Sequence, residues 1–258
     1  MPSILFKINK GVAEISLNRP EIFNSFNREM ALLLQEHLEE ADQDNSIRSV
    51  YIKGMGKAFS AGQDLAELTQ PGGPGMDRIL SEHFNPIILK IRKLKKPVIA
   101  AVNGVAAGAG ANIALCCDIV VAASSASFIQ AFSKIGLVPD SSGTFFLPRL
   151  IGFQKASALM MLGDKVTASE AEKMGMIYKI FPDETFEEES FKIASTLASM
   201  PTRGLSLIKS ALNKCFSQSL EEQLATEDEL QQKAALTNDF KEGVQAFLEK
   251  RAPQFAGN

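Results

Sequence analysis

The sequence predicts an α/β protein, with strands and short helices up to about residue 182 and a helical tail after it. Three observations carry this reading. Apolar runs of strand length recur at residues 4–8, 49–53 and 97–102, each followed closely by glycine. Between the first two, Met30, Leu33, Leu34 and Leu38 repeat at helical spacing. From Phe186 onward the apolar pattern is helical to the end.

Taken in order, residues 4–8 and 12–18 form a hairpin around Asn9, Lys10 and Gly11, broken after Asn18 by Arg19 and Pro20. An amphipathic helix spans 27–42, and a short strand at 49–53 ends at Gly54 and Gly56. Small residues Ser60, Ala61 and Gly62 then precede the polar pair Gln63 and Asp64. That segment is either a plain strand-to-helix loop capped by Asp64 or a place where backbone approaches a ligand. Residues 69–75 are a loop of turn formers, and a helix over 76–94 is kinked or restarted at Pro86. Beyond the central stretch, helices are expected at 145–150, 154–162 and 169–174, with a strand at 176–181. Four more helices follow at 186–200, 203–216, 220–236 and 239–250. No linker demands independent domains, so residues 1–200 are read as the core and 201–258 as a helical region packed on it or on a neighbouring subunit.

A chain of 258 residues with 45% hydrophobic and 22% charged residues has the make-up of a soluble globular protein. Its net charge of -3 argues against nucleic acid as partner. The amino terminus lacks a signal-peptide pattern and no stretch has the length of a membrane span, so a cytoplasmic protein is expected. Cys116 and Cys117 adjoin inside an apolar helix, and with Cys215 they make neither a metal-ligand spacing nor a disulfide framework. His37 and His83 have no nearby acid or cysteine, and structural or surface roles are expected. Glu187, Glu188 and Glu189 read as a solvated helix start, where negative charge suits the dipole.

The chemistry concentrates in residues 97–144. An apolar strand there gives way through small residues 104–111 to a helix containing Ile113, Leu115 and Cys116. Backbone N–H groups at such a helix start lack intrahelical partners and can hold a developing oxyanion. Asp140 stands between Pro139 and Ser141. A backbone oxyanion site and one carboxylate suffice for proton transfer next to a carbonyl. Each feature also has a plainer reading: close helix–strand packing for the small residues, a helix cap or turn for the acid. The run GVAAGAG lacks the glycine spacing of a dinucleotide loop, and no Ser–His–Asp set or metal site is apparent.

The segments LNRP (17–20), KAFSAGQDL (57–65), PVIAAVNGVAAGAG (97–110), CDIVVA (117–122), GLVPDSSGT (136–144) and EGVQAFLEKR (242–251) together resemble the crotonase, or enoyl-CoA hydratase/isomerase, superfamily. The resemblance covers essentially the whole chain. It implies a ClpP-like spiral of strand–strand–helix turns with a helical C-terminal region that builds trimers or dimers of trimers. It also implies an acyl-CoA thioester as substrate, with no cofactor beyond the substrate's own coenzyme A. By position, the N–H groups of Gln63 and Ala109 correspond to the oxyanion hole, Ala109 standing where glycine is commoner. Ala61, Gly62, Asp64, Leu65 and Gly110 match segments along the CoA path, and Glu21, Ile22 and Lys250 match weaker CoA contacts.

Two departures bear on the reaction type. Hydratases of this family use two glutamates, and the matching positions here are Asn112 and Phe132. The remaining acid, in register with a base of isomerase members, is Asp140. The resemblance thus implies an isomerase, acting on a ring-epoxide thioester or shifting an acyl-CoA double bond. Phe132, Ile135 and Val138 are expected to desolvate Asp140 and raise its pKa, and Phe132, Phe145 and Phe146 either line an acyl pocket or belong to the core. A CoA- or RNA-binding module without activity is the reading from another class.

Overall fold

The computed structural model describes residues 2–258. Strands β1 (Ile4–Asn9) and β2 (Val12–Leu17) pair antiparallel, and a 3-10 turn at Pro20–Ile22 leads into α1 (Arg28–Gln43). Asn27 caps α1 by accepting the Met30 N–H. Strands β3 (Ser49–Gly54) and β4 (Ala58–Ser60) precede the short helix α2 (Leu65–Thr69). The helix expected over 76–94 is a run of three windings: α3 (Met76–Arg78), a π-helical stretch Ile79–Phe84, and α4 (Asn85–Lys93). Pro86 sits in the first turn of α4, where its missing N–H costs least.

Next come β5 (Val98–Val102), β6 (Val105–Ala107), α5 (Ala109–Leu115), β7 (Ile119–Ala123) and β8 (Ser127–Ile129). A 3-10 turn at Ala131–Ile135 is followed by α6 (Gly143–Ile151), α7 (Phe153–Leu162), β9 (Lys165–Thr167), α8 (Ala168–Lys173) and β10 (Lys179–Phe181). The tail is α9 (Phe186–Ser199), α10 (Thr202–Lys214), α11 (Leu220–Ala235) and α12 (Asn238–Glu249).

Two sheets result, one in the order β1-β2-β3-β5-β7-β10 and one in the order β4-β6-β8-β9. The neighbours from β2 to β10 in the first sheet are parallel, as are β4, β6 and β8 in the second. Successive strand pairs, β3 with β4, β5 with β6 and β7 with β8, each give one strand to each sheet, and the chain climbs as a spiral. Every residue of β5 is buried, as a central parallel strand covered on both faces requires.

Helix α9 lies on the first sheet. Ser49 Oγ donates to the Ala194 carbonyl at 2.8 Å, and the Tyr51 hydroxyl meets Ser190 Oγ at 2.8 Å. Helix α10 is tied down by Lys209, whose Nζ lies 2.7 Å from Asp118 Oδ2 and donates to the Ile91 carbonyl at 2.7 Å. Helix α12 leaves Phe240, Val244, Phe247 and Leu248 exposed. Among the described residues no helix is long and apolar enough to cross a membrane, and no three His, Cys, Asp or Glu side chains cluster as metal ligands would.

Candidate active site

Two backbone segments meet at the mouth of the second sheet. Residues 61–64 leave β4, and residues 107–110 join β6 to α5. The first is held by a wrap of residues 19–26. The Ala61 N–H donates to the Phe23 carbonyl, Phe26 N–H to the Gly62 carbonyl, and Asp64 N–H to the Phe26 carbonyl. The wrap is itself fixed by buried Asn24, whose Nδ2 donates to the Met55 and Ala58 carbonyls while its Oδ1 accepts the Arg19 N–H. Ser60 Oγ donates to the Asn24 carbonyl and accepts the Gly62 N–H. Arg19 lies in the LNRP landmark, but the bracing role of Asn24 depends on contacts over 30 residues away, which the sequence does not show.

The bridge to Phe26 uses the groups either side of Gln63 and leaves the Gln63 N–H facing away from it. Ala109 is the first residue of α5, so its N–H has no intrahelical acceptor. Among the described residues neither N–H makes a hydrogen bond. Gly62, at φ +90°, brings the two segments together where any side chain would intrude. Gly110 likewise lies flat on Ser60, its α-carbon face turned to the Ser60 carbonyl oxygen.

Asp140 reaches the same region from the chain's other side. Its carbonyl accepts the Gly143 N–H at 2.9 Å and Asn112 Nδ2 at 2.8 Å. Asn112 stands one turn after Ala109 on α5, so a single helix carries a free N–H and the anchor of the acid. Phe132 is buried with its ring against Gly108, at 3.8 Å from where a Cβ there would sit. Burial raises the Asp140 pKa above the ordinary carboxylate value, and the Ser141 hydroxyl, donating to Oδ1 at 2.7 Å, partly offsets this. Ser141 and Ser142 both adopt left-handed backbone, at φ 48° and 65°. For residues with a Cβ such conformers cost roughly 1–3 kcal/mol each and concentrate at functional sites.

The raised direction is the one expected, and of the three apolar residues named for it two lie at the surface. Ile135 and Val138 are themselves largely exposed, at 54% and 77%. Ile135 ends the 3-10 turn that begins at Ala131 and Val138 follows it, and Phe132 alone of the three is buried. Phe145 is partly exposed, and Phe146 packs against the core. They pack edge-to-face with each other, and Phe145 with Phe216, while Arg149 lies over Phe145.

Of the residues matched to the CoA path, Ala61, Gly62, Gln63, Asp64, Leu65 and Gly110 are contiguous with the two N–H groups, and Leu65 is half exposed. Asp64 has structural work of its own: Oδ2 pairs with Arg19 at 3.0 Å, and Oδ1 caps α2 by accepting the Ala66 N–H at 3.1 Å. Glu21 and Ile22 occupy the 3-10 turn that opens the residue 19–26 wrap. Lys250 ends α12 in a left-handed cap. The open clefts between α1 and α4 and between α10 and α11 contain none of these residues.

A family model described as Enoyl-CoA hydratase/isomerase matches residues 7–258. The chain belongs to the enoyl-CoA hydratase/isomerase family. It is 47% identical over 260 residues to the 1,2-epoxyphenylacetyl-CoA isomerase of Escherichia coli (strain K12), covering 100% of this chain and 99% of that one. It is 42% identical to a probable enoyl-CoA hydratase of Rhodobacter capsulatus, with 99% and 98% covered. A crystal structure of a putative enoyl-CoA hydratase/isomerase from Mycobacterium abscessus superimposes with a TM-score of 0.93 at 35% identity, with 99% of this chain and 100% of that chain covered. This family chain has the expected spiral with a helical C-terminal region, and it is an enzyme of a family whose named relatives include both isomerases and hydratases.

Proposed function

We propose that this enzyme is an acyl-CoA isomerase in which Asp140 carries a proton between two carbons of the acyl group. The N–H groups of Gln63 and Ala109 stabilise the thioester enolate formed between the two transfers. The observation that carries the reading is the donor set. Two backbone N–H groups are unengaged, and the desolvated Asp140 is tied through its carbonyl to Asn112 on the helix that begins with one of them, while Asn112 and Phe132 match the positions where the family's hydratases carry glutamates. Neither an amide nor a phenyl ring can serve as a general acid or base near neutral pH, so one acid must both take and return the proton.

Asp140 removes a proton alpha to the thioester carbonyl, and the electron pair moves onto the carbonyl oxygen. The protonated acid then returns the proton at a different carbon as the enolate collapses. Donors aimed at that oxygen act in the transition state, where charge develops, and each contributes on the order of 3 kcal/mol. The cycle consumes no water and needs no resident cofactor. Whole-length identity of 47% to a 1,2-epoxyphenylacetyl-CoA isomerase supports a ring-epoxide thioester as substrate. The packing of Phe145 on Phe216 and Arg149, at the surface, supports a second reading, a 3-enoyl-CoA to 2-enoyl-CoA isomerase, in which no pocket of several aromatic rings is needed. The exposed apolar face of α12 supports a homotrimer or a dimer of trimers.

The deciding experiment is deuterium incorporation from heavy water into phenylacetyl-, 3-enoyl- and 2-enoyl-CoA thioesters, with conversion of the ring-epoxide thioester followed in parallel. Wild type should exchange and isomerise, and Asp140→Asn should do neither while still binding the thioester. Exchange retained in that variant removes Asp140 from the mechanism. Water addition to 2-enoyl-CoA at a rate above isomerisation would return the enzyme to the hydratases.

A further inference from the structure

The turn that carries Asp140 is strained at Ser141 and Ser142, and strained backbone persists only where its surroundings over-determine it. Its fixed point is the Asp140 carbonyl, which accepts from both Gly143 N–H and Asn112 Nδ2. A backbone carbonyl can only accept, so Asn112 must present its nitrogen there and turn Oδ1 the other way. Gln130 must then answer with its own nitrogen, and Nε2 does so at 2.8 Å. The orientation of both amides is therefore dictated outward from Asp140. Asn112 and Gln130 are 1% and 4% exposed, which keeps water from competing for either bond. Gly143 completes the fit, because a Cβ there would stand 2.4 Å from Asn112 Nδ2.

We propose that Asn112, oriented by Gln130, is the positioning residue for Asp140, locking the strained turn to α5 so that the base keeps a fixed register to the Ala109 N–H on the same helix. The proposal rests on Asp140 being the base. The residue that stands in a hydratase glutamate's place has in this chain a mechanical task. Its amide holds the backbone end of Asp140, while the Ser141 hydroxyl holds Oδ1 and leaves Oδ2 without a protein partner among the described residues. Neither Asn112 nor Gln130 contributes a proton.

The test measures deuterium exchange into phenylacetyl-CoA as a function of pH, with its Kd measured separately, for wild type, Asn112→Ala, Gln130→Ala and Asp140→Asn. Asn112→Ala should lower the exchange kcat by ten- to a hundredfold with Kd changed less than twofold. Its acid limb should also move to lower pH, because the released carboxylate gains water. Gln130→Ala leaves the Asn112 contact but frees the amide to turn, so a smaller fall with the same limb movement is expected. A purely structural role would lower the melting temperature and leave the limb in place. Wild-type kcat and limb in folded Asn112→Ala overturn the proposal, as does a loss confined to Kd. If Asn112→Ala does not fold, an unaltered kcat and limb in Gln130→Ala overturn it. Asp140→Asn separates the two claims. Exchange surviving in that variant fails the base assignment itself, whereas its loss beside an unaffected Asn112→Ala fails the positioning role alone.

Discussion

Gly62 and Ala109 stand so close that a Cβ on Gly62 would lie 3.1 Å from the Ala109 nitrogen, and 2.9 Å from the Ala107 carbonyl oxygen. The glycine's φ of +90° is itself unfavourable for any other residue. Gly62→Ala must therefore push residues 107–110 away and spread the two N–H groups. Loss of one oxyanion donor typically costs about 3 kcal/mol, or roughly a hundredfold in kcat. A fall of that size in exchange kcat, with thioester Kd held within a few-fold, is expected. An unchanged kcat would mean the two N–H groups do not act on the same oxygen.

The raised pKa of Asp140 sets the acid side of the pH profile. A base works ionised, so activity is lost as pH falls through the folded-state pKa, which burial holds above the ordinary aspartate value of about 3.9. Ser141 Oγ is the bond that pulls it back down. Ser141→Ala should move the acid limb of kcat to still higher pH while leaving activity well above the limb near wild type. Movement to lower pH would show that the serine stabilises the protonated acid instead.

The segments that carry the candidate site were legible in the sequence because each is local, although within them Gln63 and Ala109 were singled out by the family resemblance. Gln63, Ala109 and Asp140 each sit in a short motif where strand, small residues and turn formers follow in a fixed order, and the helices of the tail announced themselves by periodicity to within a residue or two. What was not legible is pairwise and distant. The strands β6, β8 and β9 have three residues each, too few for an alternating pattern to show. The exposure of Ile135 follows from a 3-10 winding that apolar composition does not encode. Asn112 read as a missing glutamate, and its bonds to Gln130 and the Asp140 carbonyl, 18 and 28 residues away, emerge only when the spiral closes.

Asp64 matches a substrate-lining position, yet both its oxygens are occupied by Arg19 and by the start of α2. Asparagine can still cap a helix but cannot pair with Arg19, and alanine can do neither. Asp64→Asn should leave thioester Kd near wild type, and Asp64→Ala should be less stable than Asp64→Asn by about 1 kcal/mol in denaturant unfolding. A tenfold weaker Kd in the asparagine variant at unchanged stability would place the carboxylate on the ligand.

The tail is joined to the spiral by a charge cluster that makes its own prediction. Asp118 accepts the Val98 N–H at 2.8 Å, and its carboxylate lies 3.0 Å from Arg92 and 2.7 Å from Lys209 on α10. Lys209 has a side chain only 7% exposed, and desolvation lowers its pKa although Asp118 opposes this. Removing one partner of a buried pair costs about 3 kcal/mol or more, chiefly because the other charge is left unpaired. Asp118→Ala should lose that much, and adding Lys209→Met should restore part of it. The sign with pH also follows. With its folded-state pKa depressed, Lys209 binds more protons in the unfolded chain than in the folded one between that value and about 10.4, so stability rises with pH across that window. The rise should be steeper in Asp118→Ala, where nothing opposes the desolvation, and should vanish in the double variant. Equal losses in the single and double variants, with no pH slope in either, would show that Lys209 titrates alike in the folded and unfolded chains and that the anchor is held by Arg92 and Val98 instead.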